Sequence, residues 1–267
     1  MNDRFSFLEF QKNDPNKKES KEFASHSDYG IPQPSAKQFL EEATTAFHQG
    51  LFEAALRLYT KCLEEDKTIL EAWVGQVRML IHLEECQEAR IWVDKALEVF
   101  KNNGELLAAK AQAYIRLEDI DNAYACSDRS IETSGSSPWR WIVRGEVLLS
   151  RKHALYDDCF AKALAEKNAN WFDRVVIACI YLYHDYPVKA LEYLQHAIKA
   201  EPSNPYLWYL FGENQRLLGC DYDARASFKR SLEIDPRHKP TLDSIRLLNI
   251  TSPLQSFLRR FRYWRKK

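Results

Sequence analysis

Glycine is scarce in this chain, with eight residues in 267. No G-x-G-x-x-G, phosphate-binding loop, G-x-S-x-G or H-E-x-x-H occurs anywhere. A phosphate cradle needs glycines where backbone must approach the ligand, so nucleotide chemistry has little to build on. The six cysteines (Cys62, Cys86, Cys126, Cys159, Cys179 and Cys220) include no C-x-x-C pair. Scattered in this way, they suit small buried side chains kept reduced rather than a disulfide framework or a zinc site. Also missing is any apolar run approaching the ~20 residues that span a bilayer. The first eighteen residues hold no stretch of signal-peptide length. These absences set the expectation of a cytoplasmic protein that is not an enzyme and carries no cofactor or metal.

What is present is a period. Ala55, Ala89 and Ala123 follow one another at 34 residues, and Tyr156, Ala190 and Ala224 continue the series with one residue lost before Tyr156. A small residue returning at that interval, inside a helical pattern, signals one supersecondary unit copied along the chain. The units run 36–69, 70–103, 104–137, 138–170, 171–204 and 205–238. Each holds a first helix of about fourteen positions, a short turn and a second helix. Ser35 is a plausible start signal for the first helix. Breakers or polar groups mark the turns: Gly50, Glu84-Glu85, Glu118-Asp119, Asp185-Tyr186-Pro187 and Gly219. Close helix crossings need small side chains, and the eighth position of the units supplies Ala43, Val77, Ala111, Gly145, Ala178 and Gly212. Tyr59, Val93, Phe160, Leu194 and Phe228 recur in the second helices as fillers between neighbours.

Charge is zero overall but unevenly placed. Residues 252–267 carry six basic residues and no acid, which leaves 32 basic against 38 acidic over residues 1–251. Residues 1–35, polar and broken by Pro15, Gly30, Pro32 and Pro34, read as a disordered arm. Only Phe5, Phe7, Leu8 and Phe10 interrupt it, a cluster that is either chance or a docking motif. Residues 239–250 form a capping helix, with Leu242, Ile245 and Leu248 on one face to shield the last unit.

The units resemble tetratricopeptide repeats. The sixth carries Trp208, Phe211, Gly212, Ala224, Phe228 and Pro236, and the fifth Ala178, Tyr181, Ala190, Ala197 and Pro202. Earlier units keep Trp73, Ala89, Ala96, Ala111, Tyr114 and Ala123. The fourth departs: Trp141 and Gly145 fit one residue late, and Tyr156 or Asp157 stands where alanine belongs. Locally distorted pairing is expected there, with a candidate hinge at Glu132 to Pro138. The resemblance implies an all-α, right-handed superhelical solenoid of about six helix-turn-helix units with a C-terminal capping helix.

It also implies a concave groove lined by the first helices. The residues placed there are Leu40, Thr44 and His48; Val74, Arg78 and His82; Ala108, Gln112 and Arg116; Ile142 and Glu146; Val175 and Tyr183; and Tyr209, Glu213 and Arg216. Such a surface, apolar and aromatic with isolated charges, suits an extended peptide or an amphipathic helix. Family members that clamp acidic chaperone termini use basic and amide side chains at two of these positions. Here those places hold Leu40 and Thr44, Val74 and Arg78, and Ala108 and Gln112, so the clamp lacks its donors. His48 and His82 occupy equivalent positions in successive units, ~10 Å apart by helix packing and too far to share a zinc ion. Asp157-Asp158 with His153 reads as a solvated cap rather than an acid/base group.

The tail has its own pattern. Phe257, Leu258 and Phe261 fall on one stripe with Leu254, beside Arg259, Arg260, Arg262, Arg265 and Trp264. That arrangement suits the surface of an anionic membrane, the acidic body of this chain, a protein partner or, least well, nucleic acid. The leading expectation is a protein-interaction scaffold or adaptor with the tail as tether or regulator. The alternatives are a peripheral membrane assembly factor working through its tail at the inner face, and a regulatory subunit of an enzyme or nucleic-acid complex.

Overall fold

The computed structural model describes residues 34–250 and Gln255. The readings for the N-terminal arm and, Gln255 apart, for the basic tail lie outside the described residues. Among those described there are thirteen helices and no strand. Six pairs come first: α1 (Ala36–His48) with α2 (Phe52–Glu65), α3 (Leu70–His82) with α4 (Cys86–Val99), and α5 (Gly104–Arg116) with α6 (Ile120–Glu132). Then follow α7 (Pro138–Ser150) with α8 (Tyr156–Ala165), α9 (Trp171–Tyr183) with α10 (Pro187–Ala200), and α11 (Pro205–Leu217) with α12 (Asp221–Ile234). The last helix, α13 (Lys239–Ile250), stands alone.

The repeat is written into the ends of these helices. Ser35 forms a capping box with Gln38, and Asn103, Ser137, Asn170 and Asn204 accept from first-turn amides of α5, α7, α9 and α11. Among the six first helices, only α3 starts without a side-chain cap. Each such cap is worth about 1 kcal/mol. Every first helix then ends the same way, with one left-handed residue: Gly50, Glu84, Glu118, Lys152, Asp185 and Gly219. The amide after that residue bonds back five residues, as in Leu51 to Ala46 and Glu85 to Leu80, both 2.9 Å. This closing geometry satisfies the helix's last carbonyls and turns the chain sharply into the second helix.

Within a pair, the second helix lies on its own first helix and then on the first helix of the next unit. The small eighth positions sit at these crossings: Ala43, Val77, Ala111 and Ala178 are fully buried. At Gly145 an added Cβ would fall 2.5 Å from the ring of Phe160, and at Gly212 the same distance from Phe228. The large residue of the second helix therefore fills the space its own first helix leaves open. One core runs through most of the array and ends at a smaller cluster of Ala224, Phe228 and Leu248 under α13. The buried face of α13 is more polar than its periodicity suggests. Thr241 and Ser244 are buried with Leu248, and the Thr241 hydroxyl bonds Ser231 and His238.

Glu132 to Pro138 is not a hinge. Arg140, 4% exposed, donates to the carbonyls of Ser134, Gly135, Ser130 and Thr133 and fixes the connection. A buried guanidinium that finds several carbonyl acceptors holds a loop rigidly. The loosened junction comes one unit later, between α8 and α9. α8 has ten residues where the other second helices have thirteen or fourteen, and it touches α9 far less than α2, α4, α6 and α10 touch their successors.

Candidate functional site

The inward flank of the first helices is where partner-facing residues were expected, and the structure divides them. Ala108, Ile142, Glu146 and Val175 are sealed inside, and Val74 and Gln112 are buried as well. The expectation that these six line an open face is corrected. Neighbouring first helices α3, α5, α7 and α9 pack on one another closely enough to close over these positions. Leu40, Thr44, His48, Arg78, His82, Arg116, Tyr209, Glu213 and Arg216 are half-buried, and Tyr183 is 52% exposed.

What the structure brings together is a polar knot inside an aromatic lining. Glu146 on α7 accepts from Gln112 of α5 at 2.8 Å, from Arg116 of α5, and faces His184 Nε2 at 3.6 Å. Burial by itself would raise this carboxyl, but Arg116, His184 and Gln112 outweigh it and hold it near 2. The Arg116 guanidinium also lies over the ring of Tyr183 at 3.6 Å. Further along, Arg78 sits between two rings, 3.9 Å from Trp139 and 4.8 Å from Phe47. No carboxylate of the described residues lies within ion-pair distance of Arg78, so the ring faces stand where an acid ordinarily would. Burial lowers its pKa from the usual arginine value without neutralising it.

His48 and His82 do not act as a pair. His82 stacks on Phe52 at 4.5 Å, while His48 meets Phe172 at 4.3 Å and Trp171 at 5.4 Å. Burial, then Arg78 and Arg116, push His82 down to about 3, and burial with Arg78 lowers His48. Both are neutral rings packed in an aromatic wall at neutral pH. No group of three potential metal ligands exists among the described residues. Asp157 and Asp158 lie exposed in the first turn of α8, as a solvated start to that helix requires, but Asp157 has a further part. It accepts from Tyr181 and Lys189 and ties α8 to α9 and α10, while Tyr156, in the alanine position, accepts from Lys189 at 2.8 Å. Between α6, α7 and α8 the short eighth helix leaves a cavity of about 740 Å³, lined by Ile131, Trp141, Leu148 and Leu155 with Arg144 and Lys162.

The largest departure from an open trough is a contact between the ends of the array. Asn204 Nδ2 donates to the carbonyl of His48 at 3.0 Å, across 156 positions of sequence. Phe47 meets Phe172 edge to face at 4.8 Å, and Phe52 meets Tyr206 at 6.0 Å. The Tyr206 ring lies so close to Gly50 that a Cβ there would fall 2.3 Å from it. The first unit thus closes on the fifth and sixth. No periodic mark in the sequence points to this seam. The one available signal was Asn204 in the recurring cap position, whose carbonyl oxygen caps α11 and leaves its amide hydrogens free to donate elsewhere.

Stacked helix pairs, each joined by the same left-handed turn, define a helical-repeat solenoid. Residues 104–136 match the model of the tetratricopeptide repeat. A "TPR repeat-containing protein" of Methanocaldococcus jannaschii is 24% identical over 216 residues, 73% of this chain and 36% of that protein. The chain therefore spans only about a third of that relative's length. Among solved structures, a thermophilic TPR protein of Thermus thermophilus superposes with a TM-score of 0.52 at 17% identity, covering 67% of this chain and 98% of that one. A tetratricopeptide repeat protein from Parabacteroides merdae gives 0.50 at 17% identity, covering 80% and 84%. At these identities the likeness carries the fold alone. The chain is an all-α solenoid of helix pairs with the fold of tetratricopeptide repeat proteins, and residues 104–136 match one such repeat.

Proposed function

We propose that this protein is a non-enzymatic scaffold or adaptor that takes an extended peptide or an amphipathic helix of a partner on its concave face. Tetratricopeptide repeat proteins generally work through protein–protein interaction, and their repeats are typically not catalytic. The observation that carries the finer reading is the half-open rim formed by Arg116 beneath the exposed ring of Tyr183. A cation held against an aromatic face offers a partner both apolar area and a charge, the combination that dominates interface energetics. Arg216 and Glu213, joined at 2.7 Å, extend the same polar and aromatic character beside Tyr209.

The test places a photo-crosslinking side chain at Tyr183, or at Tyr222 on α12, which is 87% exposed. Expected is a discrete adduct from the Tyr183 position and none from Tyr222. Adducts from Tyr222 alone would overturn the concave-face reading.

A second reading has its own support in the tail, where Phe257, Leu258 and Phe261 share a stripe beside Arg259, Arg260, Arg262 and Arg265. In it the basic segment tethers the scaffold to an anionic membrane surface, each basic residue adding about 1 kcal/mol. No helix among the described residues is long and apolar enough to cross a membrane. Flotation with phosphatidylserine vesicles, with and without residues 252–267, checks this: full-length protein that stays at the bottom ends the membrane reading.

A further inference from the structure

The array is held in a ring at two places of unequal strength. One is the seam, where α1 and the turn after it rest on the N-terminal ends of α9 and α11. It consists of the Asn204–His48 hydrogen bond and a few ring contacts among Phe47, His48, Phe52, Trp171, Phe172 and Tyr206. The other lies between α8 and α9, where the continuous stacking of second helix on next first helix lapses. What remains there is the Phe160 ring edge to face with Tyr181 at 5.3 Å, together with polar bonds from Asp157 and Tyr156 to Tyr181 and Lys189. Such bonds exchange readily for bonds to water, unlike the interdigitated apolar crossings elsewhere in the array. The two bodies, residues 36–165 and 171–250, therefore meet through the short non-helical link, the packing of α7 on α9, the Glu146–His184 and Arg116–Tyr183 contacts, and the small seam on the far side.

Behind the seam, the closed form leaves hydrogen-bonding capacity unused. The Nε of Arg78 and the Nε1 of Trp139 are buried without a partner, and Arg78 lies directly against Phe47 of the seam. Unmet donors of this kind carry a cost that is relieved when a ligand or solvent reaches them. The closed ring is thus stabilised by modest contacts and opposed by unsatisfied ones.

We infer that the protein is a latched clamp: residues 171–250 swing against 36–165 about the turn Glu166–Asn170, and the His48–Asn204 seam keeps the concave face shut until a partner engages it. The latch rests on the concave-face reading for its purpose, but its motion is measurable without any partner. The seam draws on both ends of the array, so opening it breaks no contact between neighbouring units of the first four. Breaking it uncovers Phe47, Phe172 and the face of Arg78 together.

The test is a distance measurement on the full chain with spin labels carried by noncanonical residues, since six cysteines are already present. Labels at Ala54 on α2 and Val188 on α10, both exposed, report the seam, and labels at Ala54 and Val99 report the first body alone. Asn204→Asp keeps an oxygen to cap α11 but sets a second acceptor against the His48 carbonyl. Asn204→Asp with Phe172→Ala removes the main ring contact too. Expected is a shift of the Ala54–Val188 distribution by roughly a helix diameter, ~10 Å, larger in the double variant, while Ala54–Val99 and the helical circular dichroism stay as in the parent. An unchanged Ala54–Val188 distance in a folded double variant would overturn the latch. The crosslinking at Tyr183 would still stand or fall separately.

Discussion

The side-chain amide of Gln112 donates to the carboxylate of Glu146 at 2.8 Å, one repeat of 34 residues further along the chain. The bond joins the third unit to the fourth at equivalent faces of α5 and α7. With Arg116 on the same carboxylate and His184 facing it, three consecutive units share one buried anion. It lies next to the junction where α8 makes so little contact with α9, so the network carries load that apolar stacking supplies elsewhere.

Removing Arg116 should therefore be costly. Arg116→Ala leaves the Glu146 carboxylate, 0% exposed, with an amide and a histidine as its remaining partners. Stranding one member of a buried pair typically costs about 3–5 kcal/mol. Urea unfolding should show a loss toward the lower end, because Gln112 and His184 remain. Arg116→Ala with Glu146→Gln should recover part of it, since the buried charge is then gone. A double variant no more stable than the single would mean that packing, not the charge, sets the cost.

Acid should weaken the protein in two stages. His82 is held down to about 3 by burial and by Arg78 and Arg116, with Glu146 acting in the opposite sense and the rings of Phe47 and Phe52 covering it. An unfolded histidine takes up its proton near 6.5 while the folded one does not, so the unfolded state binds more protons as pH falls from about 6.5 toward 3. Stability declines over that window, by at most about 1.4 kcal/mol per pH unit for each such histidine. His48 and His238 are lowered as well and add in the same direction. Below about 4.5 the depressed carboxyl of Glu146 begins to count too, its contribution vanishing toward 2. Asp173, raised by burial, partly offsets this. Thermal melts of His82→Gln between pH 7 and pH 5 should show a shallower decline than the parent; an equal slope would place the titration elsewhere.

The turns offer a stability series of predictable sign. Glu118 sits at φ 61° and Gly219 at φ 74° in equivalent turns. A side chain in the left-handed region costs about 1–2 kcal/mol, of which glycine's greater freedom when unfolded takes back a part. Glu118→Gly is expected to stabilise by about 0.5–1 kcal/mol, and Gly219→Ala to destabilise by a similar amount. Denaturant midpoints would check both, and a destabilising Glu118→Gly would show that its side chain contributes a contact that outweighs the backbone term.

Much of the local architecture was legible because each unit meets only its neighbours. The alanine series, the small eighth positions and the turn residues report contacts made within one pair or between adjacent pairs, and such contacts repeat when the sequence repeats. The cap series Ser35, Asn103, Ser137, Asn170 and Asn204 was equally visible, though only its first member stood out. The fourth unit showed its irregularity as a lost residue but misled about where it would give. Arg140 reads as an ordinary helical arginine, and only its carbonyl partners reveal that it pins the preceding loop.

The concave face was legible as a side of the helices, not as a surface. By itself the sequence determined the unit, its register, and the identity of the side chains turned inward, since these follow from a helical period acting over short range. Tertiary structure decided whether that inward side is open. Curvature is the sum of small rotations between successive units, and no single residue announces the total. Here the sum brings His48 to Asn204, and the close packing of successive first helices along the way turns Ala108, Ile142, Glu146 and Val175 into core.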